Sequence, residues 1–323
     1  MKMQYSASNE NRKSSFEGER IFLTGGTGFF GKSILSMLQR GFSPETEWVV
    51  LSRDPKGFLQ SNPEFSGLEK ISFLSGDVRD FSFPEMHFDG VLHCAAPTHG
   101  VPDGEVRDII LKGTRHVLDF AEKCGARRVL MASSGAVYGI QPSELERILE
   151  DFPCSPVTEY GIAKLEAEQM CLASGVPTVI ARCFAFTGPY LDRNVHFAIG
   201  NFIRDCLEGK DIVIQGDGTS YRSYLYADDL VEWLCAILSD GKDGRVYNVG
   251  SDQAVSILEL AETIRRAIGS DSRIRIRESP SPGRQTSRYV PDISRATSEL
   301  GLSVKVSLED AIQKSSMEPG RRS

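Results

Sequence analysis

The chain has 323 residues, enough for one large α/β unit or two intimately joined domains with a substantial core. Hydrophobic residues at 40% and charged residues at 25% exclude wholesale disorder. A formal net charge of −7 excludes broad attraction to nucleic acid or an anionic membrane, so any bound phosphate must be held by local groups.

In chain order, residues 1–19 (MKMQYSASNENRKSSFEGE) are too polar for a secretory h-region and read as a flexible tail. No apolar run approaches the roughly 18 residues of a membrane span. From residue 20, short apolar runs alternate with helix-period segments. RIFLTG, EWVVLS, ISFLSG, DGVLHCAA, RRVLMASS and PTVIARCFAF are strand candidates, and VRDIILKGTRHVLDFAEKCG is an amphipathic helix among them. Repeated βα units predict an α/β fold with a Rossmann-type, doubly wound parallel sheet.

The alternation loosens after TGPY, Thr187 to Tyr190. Beyond it, HFAIGNFIRDCLEGK and SILELAETIRRAIG read as helices, and DIVIQGDGTSYRSYLY as short strands around a Gly-rich turn. DSRIRIRE alternates basic and apolar residues, which predicts a half-buried strand with one charged face. The expected layout is a nucleotide-binding domain over 20–190 and a smaller C-terminal α+β portion over 191–315, with some segments returning to the first domain. Residues 316–323 form a second tail. Cys94, Cys124, Cys154, Cys171, Cys183, Cys206 and Cys235 are scattered, odd in number and without a C-x-x-C pair, a pattern of free thiols in a reducing cytoplasm. His87, His93, His99, His116 and His196 show no ligand spacing, so no metal is expected. Trp48 and Trp233 read as core or interface aromatics.

The first chemical signal is FLTGGTGFFGKS, Phe22 to Ser33. It satisfies Gly26-x-Gly28-x-x-Gly31, Gly25-x-x-Gly28-x-x-Gly31 and the P-loop pattern Gly26-x-x-x-x-Gly31-Lys32-Ser33. All three bring glycine backbone to a phosphate at a helix N-terminus. A P-loop enzyme also needs a second strand ending in a magnesium-binding aspartate, and SYLYADD is a poor one, so a dinucleotide is favoured. Phe29 and Phe30 then point away from the pyrophosphate into the joint between sheet and helix. At the end of the second strand an acid receives the ribose of NAD, whereas arginine accommodates the extra phosphate of NADP. Here Ser52 and Arg53 stand in that place, which favours NADP, with Asp54 one or two residues late. Asp77 and Val78, after the third strand, fall near an adenine or form a turn.

The second signal is SSGAVYG followed by EYGIAK. Tyr160 and Lys164 stand four apart on a predicted helix and share one face. A tyrosine of ordinary pKa near 10 is a poor base at neutral pH, but a nearby ammonium and an oxidised nicotinamide favour its phenolate. Ser134, at a strand end, can hydrogen-bond the same substrate oxygen. His93 reads as a packed strand residue rather than a base.

Together these motifs resemble the extended short-chain dehydrogenase/reductases of the NAD-dependent epimerase/dehydratase group, over about residues 20–302. They are T-G-x-x-G-x-x-G at Thr24 to Gly31, S-S-x-x-V-Y-G at Ser133 to Gly139, Y-x-x-x-K at Tyr160 to Lys164, and a G-P turn at Gly188-Pro189. The resemblance implies that Tyr160 exchanges a proton with a sugar hydroxyl, commonly at C4, while hydride passes to or from the nicotinamide. It implies that Lys164 binds the nicotinamide ribose and lowers the tyrosine pKa, and that Ser134 aligns the substrate oxygen. The cofactor, NAD or NADP, is expected on Gly25, Thr27, Gly28, Phe29, Phe30, Gly31, Ser52, Arg53, Asp77, Val78, Ala95, Ala96 and Lys164. A nucleotide sugar is expected on Thr98, Ser134, Gly135, Arg222, Arg284 and Arg288, with arginine suited to its diphosphate.

Departures narrow the chemistry. Dehydratases of the family carry an Asp-Glu pair after the catalytic Thr or Ser; Gly135 and Ala136 stand here and neither moves a proton, so dehydration is disfavoured. R-x-F-N becomes Arg182-Cys183-Phe184-Ala185, N-x-x-G-T becomes Ile110-Leu111-Lys112-Gly113-Thr114, and Ser281 replaces a frequent arginine. The expectation is therefore a 4-epimerase or 4-keto reductase, dimerising through the helices at 105–123 and 158–173 as relatives do. The rivals are an NADPH-dependent reductase of a small carbonyl compound and a non-catalytic NAD(P) sensor.

Overall fold

The structure, a computed structural model, describes residues 18–97, 101–102, 104–195, 197–279 and 286–317. The chain begins with β1 (Arg20–Thr24), α1 (Phe29–Gln39), β2 (Glu47–Ser52), α2 (Pro55–Ser61), β3 (Ile71–Ser75) and β4 (Gly90–His93). It continues through α3 (Glu105–Cys124), β5 (Arg128–Ser134), α4 (Glu159–Leu172), β6 (Thr178–Cys183) and β7 (Phe186–Thr187). Then come α5 (Ala198–Leu207), β8 (Ile212–Ile214), β9 (Tyr221–Arg222), β10 (Leu225–Tyr226), α6 (Ala227–Asp240) and β11 (Val246–Val249). The last elements are β12 (Val255–Ser256), α7 (Ile257–Ile268), β13 (Ile274–Ile276), β14 (Arg288–Tyr289), α8 (Ser294–Leu300) and α9 (Leu308–Ser316).

Seven strands form one sheet in the order β11-β6-β5-β4-β1-β2-β3. The pairs from β3 to β5 are parallel. Ile180 N–H donates to Arg245 O and Phe184 N–H to Val249 O, a constant offset that makes β6 and β11 parallel too. Parallel strands covered on both faces must be apolar throughout, and β4 and β6 are buried at every position. β3, at the edge, is only partly covered. Between β1 and β4 the strand order reverses, the place where such sheets bind ligands beyond their carboxyl ends.

The chain divides into two compact units. The first comprises the described parts of Met1–Ser133 with Ile162–Ala181 and Val231–Tyr247; the second comprises Ser134–Gly161, Arg182–Leu230 and the described parts of Asn248–Ser323. In the first unit, the Phe22 ring lies 5.2 Å from Phe81, 5.3 Å from Phe88 and 4.6 Å from Phe120. Each such enclosed ring contributes about 1.5–3 kcal/mol of burial. Trp48 and Trp233 are both core residues.

In the second unit, α5, β8, α7 and α9 enclose a core of Phe202, Ile212, Leu260, Ile264 and Ile312. The Ser256–Glu259 capping box starts α7, and Gly269 in the left-handed region ends it. β9 is flanked by β12 and β14 in a three-stranded sheet, and β13 pairs with β8. The strand predicted from DSRIRIRE exists but is less buried than its alternation suggests. Ile274 packs on the helical core, while Ile276 on the same face remains 43% exposed. Three residues of pairing with β8 carry it past the end of that core.

Candidate active site

In the first unit, the turn after β1 is shaped by what cannot fit there. Gly25 has φ +75°, and a Cβ on it would lie 2.7 Å from Ala95 N at the end of β4. A Cβ on Gly31 would lie 2.2 Å from the Gly26 backbone. The turn is therefore pressed between β4 and the first turn of α1, and only glycine permits both approaches. Gly28 N–H donates to Gly25 O at 3.1 Å, and Gly28 precedes α1 with no side-chain cap. Thr27 and Gly28 are exposed. The helix begins at Phe29, ahead of Lys32, whose ammonium lies 5.9 Å from the Phe58 ring rather than at the turn. This geometry matches the Gly25-x-x-Gly28-x-x-Gly31 reading and not a P-loop. Phe29 and Phe30 stay half-buried, with rings 5.9 Å apart, instead of being enclosed in the joint; the glycine backbone packs too closely to leave room for them.

Behind the turn a buried polar chain ties the strand ends together. Thr24 Oγ1 lies 2.8 Å from His93 Nδ1, His93 Nε2 lies 3.2 Å from Thr114 Oγ1, and Ala95 N–H donates to Thr24 Oγ1 at 3.2 Å. Burial, helped by the Lys164 ammonium, pushes the His93 pKa down to about 3, so this imidazole is neutral and structural. Burial pushes the neighbouring Cys94 thiol up to about 12, with Lys164 acting in the opposite sense. The Lys164 ammonium thus stands near the end of β4, donating to Ala132 O at 2.8 Å. One turn further along α4, the buried Glu168 accepts from Ser133 Oγ at 2.5 Å.

At the end of β2, Ser52 is buried and Arg53 is exposed. Asp54 is the N-cap of α2 and accepts from Gly57 N–H at 3.0 Å, so its carboxylate is already employed. Asp77 is gripped by Arg79, with Nε donating at 2.8 Å and Nη2 at 3.1 Å. That grip holds its carboxyl below the ordinary range despite burial, and the more distant Arg53 guanidinium adds to the lowering. The Val78 side chain faces Gly113 of α3, where a Cβ would lie 3.0 Å away. Ala95 and Ala96 are half-buried beside the glycine turn.

In the second unit, hydroxyl groups converge on Ser134. Its Oγ accepts from Ala136 N–H at 3.1 Å, and Ser134 acts to lower the pKa of the neighbouring Tyr160 and Tyr289. Both tyrosines are half-buried. Burial pushes Tyr160 up to about 12; the Cys183 thiol adds to the rise and the Ser134 hydroxyl opposes it. Tyr289 is pushed higher still by burial, against the influence of the Ser134 hydroxyl. A Cβ on Gly135 would lie 2.7 Å from the Tyr289 hydroxyl and 2.9 Å from the Phe184 ring. The Phe184 and Tyr289 rings are 4.7 Å apart.

β14 brings Tyr289 there by pairing parallel with β9, Tyr289 opposite Arg222 and Arg288 opposite Tyr221. Register partners share a face and neighbours alternate, so Arg222 lies on the Tyr289 side and Arg288 on the other. Arg222 Nη1 donates to Tyr221 O at 2.7 Å, and the Arg288 guanidinium lies 4.3 Å from the Tyr221 ring. The Nε of Arg288 and the Oγ of Ser223 are buried with no protein partner. The other tyrosine of SSGAVYG is structural: Tyr138 donates to Asn248 Oδ1 at 2.7 Å beneath the Arg182 guanidinium.

Thr98 and Arg284 lie outside the described residues. Tyr289 belongs to none of the sequence motifs and follows a basic residue directly; strand alternation in SRYVPD is the signal that marks it. All seven cysteines are free thiols. Among the described residues, no group of three or more His, Cys, Asp or Glu could hold a metal, and no helix is long and apolar enough to cross a membrane.

Comparison with known proteins agrees with this geometry. Residues 21–250 match the model of the NAD dependent epimerase/dehydratase family. UDP-glucuronic acid decarboxylase 1 of Xenopus tropicalis is 30% identical over 314 residues, covering 93% of this chain and 72% of the relative. A dTDP-glucose 4,6-dehydratase of Actinoplanes is 30% identical over 309 residues, 91% of this chain and 95% of the relative. The crystal structure of UDP-glucuronic acid 4-epimerase from Bacillus cereus, in complex with UDP-glucuronic acid and NAD, superposes with a TM-score of 0.77. It is 25% identical and covers 92% of this chain and 98% of that one. The chain belongs to the NAD dependent epimerase/dehydratase family.

Proposed function

We propose that the protein is an NAD(P)-dependent enzyme that interconverts an alcohol and a ketone on a nucleotide-activated sugar, at C4, as a 4-keto reductase or a 4-epimerase. The observation that carries this reading is the proximity of Tyr160 to Ser134, two hydroxyls able to hold one substrate oxygen. Its support from relatives is that the decarboxylase, the dehydratase and the epimerase named above all act on nucleotide sugars by name.

The first unit would hold the dinucleotide and the second the sugar. The glycine turn at Gly25 to Gly31 fits a pyrophosphate, since bare backbone faces the N-terminus of α1. When bound, the nicotinamide accepts or returns a hydride. Tyr160, held as a neutral phenol by burial, is poised to protonate a developing alkoxide, which favours ketone reduction. In the opposite direction it needs positive charge nearby, from Lys164 one turn along α4 and from the oxidised ring. Arg222 would take the diphosphate. Gly135 and Ala136 supply no acid, and the space beside Gly135 is filled by Tyr289 and Phe184, which disfavours elimination of water. Arg53, free to face an added phosphate while Asp54 is committed to capping, favours NADP. Ile162 and Leu172 are 42% and 48% exposed on α4 and suit a homodimer through α3 and α4; seven free thiols suit a reducing cytoplasm.

Mass spectrometry of ligands released from gently purified protein identifies the dinucleotide and any sugar nucleotide together. Tyr160→Phe should lower turnover of UDP- or dTDP-sugars by roughly 10²–10⁴-fold. Unchanged conversion would refute the reading. A reductase consumes NADPH stoichiometrically, whereas an epimerase turns over without added cofactor.

A further inference from the structure

The inward face of α4 in the first unit carries two charges. From Ile162 onward its buried positions are Ala163, Lys164, Ala167, Glu168 and Cys171, three and four apart as one helical stripe requires. Lys164 and Glu168 are each 2% exposed. Both reach the end of β5, at consecutive residues: Lys164 Nζ donates to Ala132 O at 2.8 Å, and Ser133 Oγ donates to Glu168 Oε1 at 2.5 Å. The second bond has the length of a hydroxyl on an ionised carboxylate. Burying either ion by itself is costly, and a neutral donor or acceptor does not cancel a charge. Opposite ions one turn apart in the same buried layer offset each other. Two apolar side chains would fill the stripe without that cost, so the pair has a use beyond packing.

We propose that Glu168 is a positioning residue whose carboxylate, anchored by Ser133, keeps the Lys164 ammonium charged and fixed at the end of β5. That this ammonium meets the nicotinamide ribose rests on the function proposed above; its pairing with Glu168 rests on burial, helix spacing and the two hydrogen bonds. The other titratable and charged groups at the pair are His93 and Cys94 at the end of β4, Tyr160 and Cys171 one turn away on α4, and Arg115 on α3. Burial holds His93 neutral down to about 3 and pushes Cys94, Cys171 and Tyr160 each up to about 12, so none of these changes charge between about pH 7 and pH 10. Arg115 is exposed, so water screens it from the buried carboxylate, and an arginine keeps its charge over this range. Lys164 is the group left to respond when the Glu168 charge is removed.

Glu168→Gln keeps the size of the side chain and an acceptor for Ser133, and removes the charge. Its thermal midpoint at pH 7 should lie about 5–10 °C below wild type. Without its counter-charge, Lys164 gives up its proton more readily folded than unfolded, so the unfolded chain binds the extra proton and the deficit shrinks as pH rises toward about 10. Adding Lys164→Met removes the stranded ion and should restore roughly half of the loss or more. Wild-type stability in Glu168→Gln, a deficit that does not change with pH, or a double variant no more stable than Glu168→Gln would each overturn the proposal. If Glu168→Gln does not fold at pH 7, folding of the double variant supports the pairing and its failure to fold overturns it. Relative to wild type, the affinity of Glu168→Gln for NAD and NADP should be about tenfold weaker at pH 9 and within about threefold at pH 6, read by calorimetry. An equal loss at both pH values overturns the role toward Lys164. If the wild-type protein binds neither dinucleotide, the proposed function fails, and the stability measurements alone decide the pairing.

Discussion

The glycine turn of the first unit and the hydroxyl cluster of the second are built by opposite means. The turn is a site made by removing side chains. Gly25, Gly26 and Gly31 let backbone meet backbone or strand, and a single added methyl group at Gly31 would stand 2.2 Å from its neighbour. The cluster is made by adding polar side chains, with Tyr160 and Tyr289 meeting at Ser134. A steric site ties binding to folding, whereas a hydrogen-bonded one can lose its chemistry and keep its fold. The two should therefore fail differently when perturbed.

The largest effect separating them is expected at Gly31→Ala. Overpacking against the Gly26 backbone should cost about 1–3 kcal/mol of stability, with dinucleotide affinity lost in parallel, measurable by denaturant unfolding and by titration with NAD and NADP. Full stability in this variant would break the contrast. Arg222→Ala, on the Tyr289 side of β9, should weaken UDP binding by about 1.5–3 kcal/mol in calorimetry while leaving the thermal midpoint nearly unchanged. Comparable affinity for UDP in the two proteins would favour the small-carbonyl reading. The smallest effect is expected from His93. Its folded pKa of about 3 lies below the ordinary imidazole value of 6.5, so the unfolded chain binds the extra proton. Its contribution is complete above pH 6.5 and declines as pH falls toward 3; urea midpoints of His93→Gln should decline less steeply across that window.

The legible parts of the site were local ones. Thr24 to Gly31, Ser133-Ser134 and Tyr160 with Lys164 are each read within a dozen residues, because turn sterics and helix spacing act over that distance. Arg53 and Asp54 show the limit of such reading. In sequence both are candidates for the ribose, and only the bond from Gly57 N–H reveals that Asp54 caps α2. Asp77 is likewise a candidate until Arg79 is seen to grip it. A carboxylate has the same identity in sequence whether it serves a ligand or its own backbone.

By itself the sequence determined the alternating βα order, the glycine turn and the tyrosine-lysine pair, since each follows from the geometry of consecutive residues. The tertiary structure alone decided that the chain passes repeatedly between two units and that β14 lies beside β9, bringing Tyr289 to Ser134 from far along the chain. The physical reason is that strand pairing and side-chain proximity depend on which segments meet in space, and no local pattern around Ser134 encodes the arrival of a second phenol.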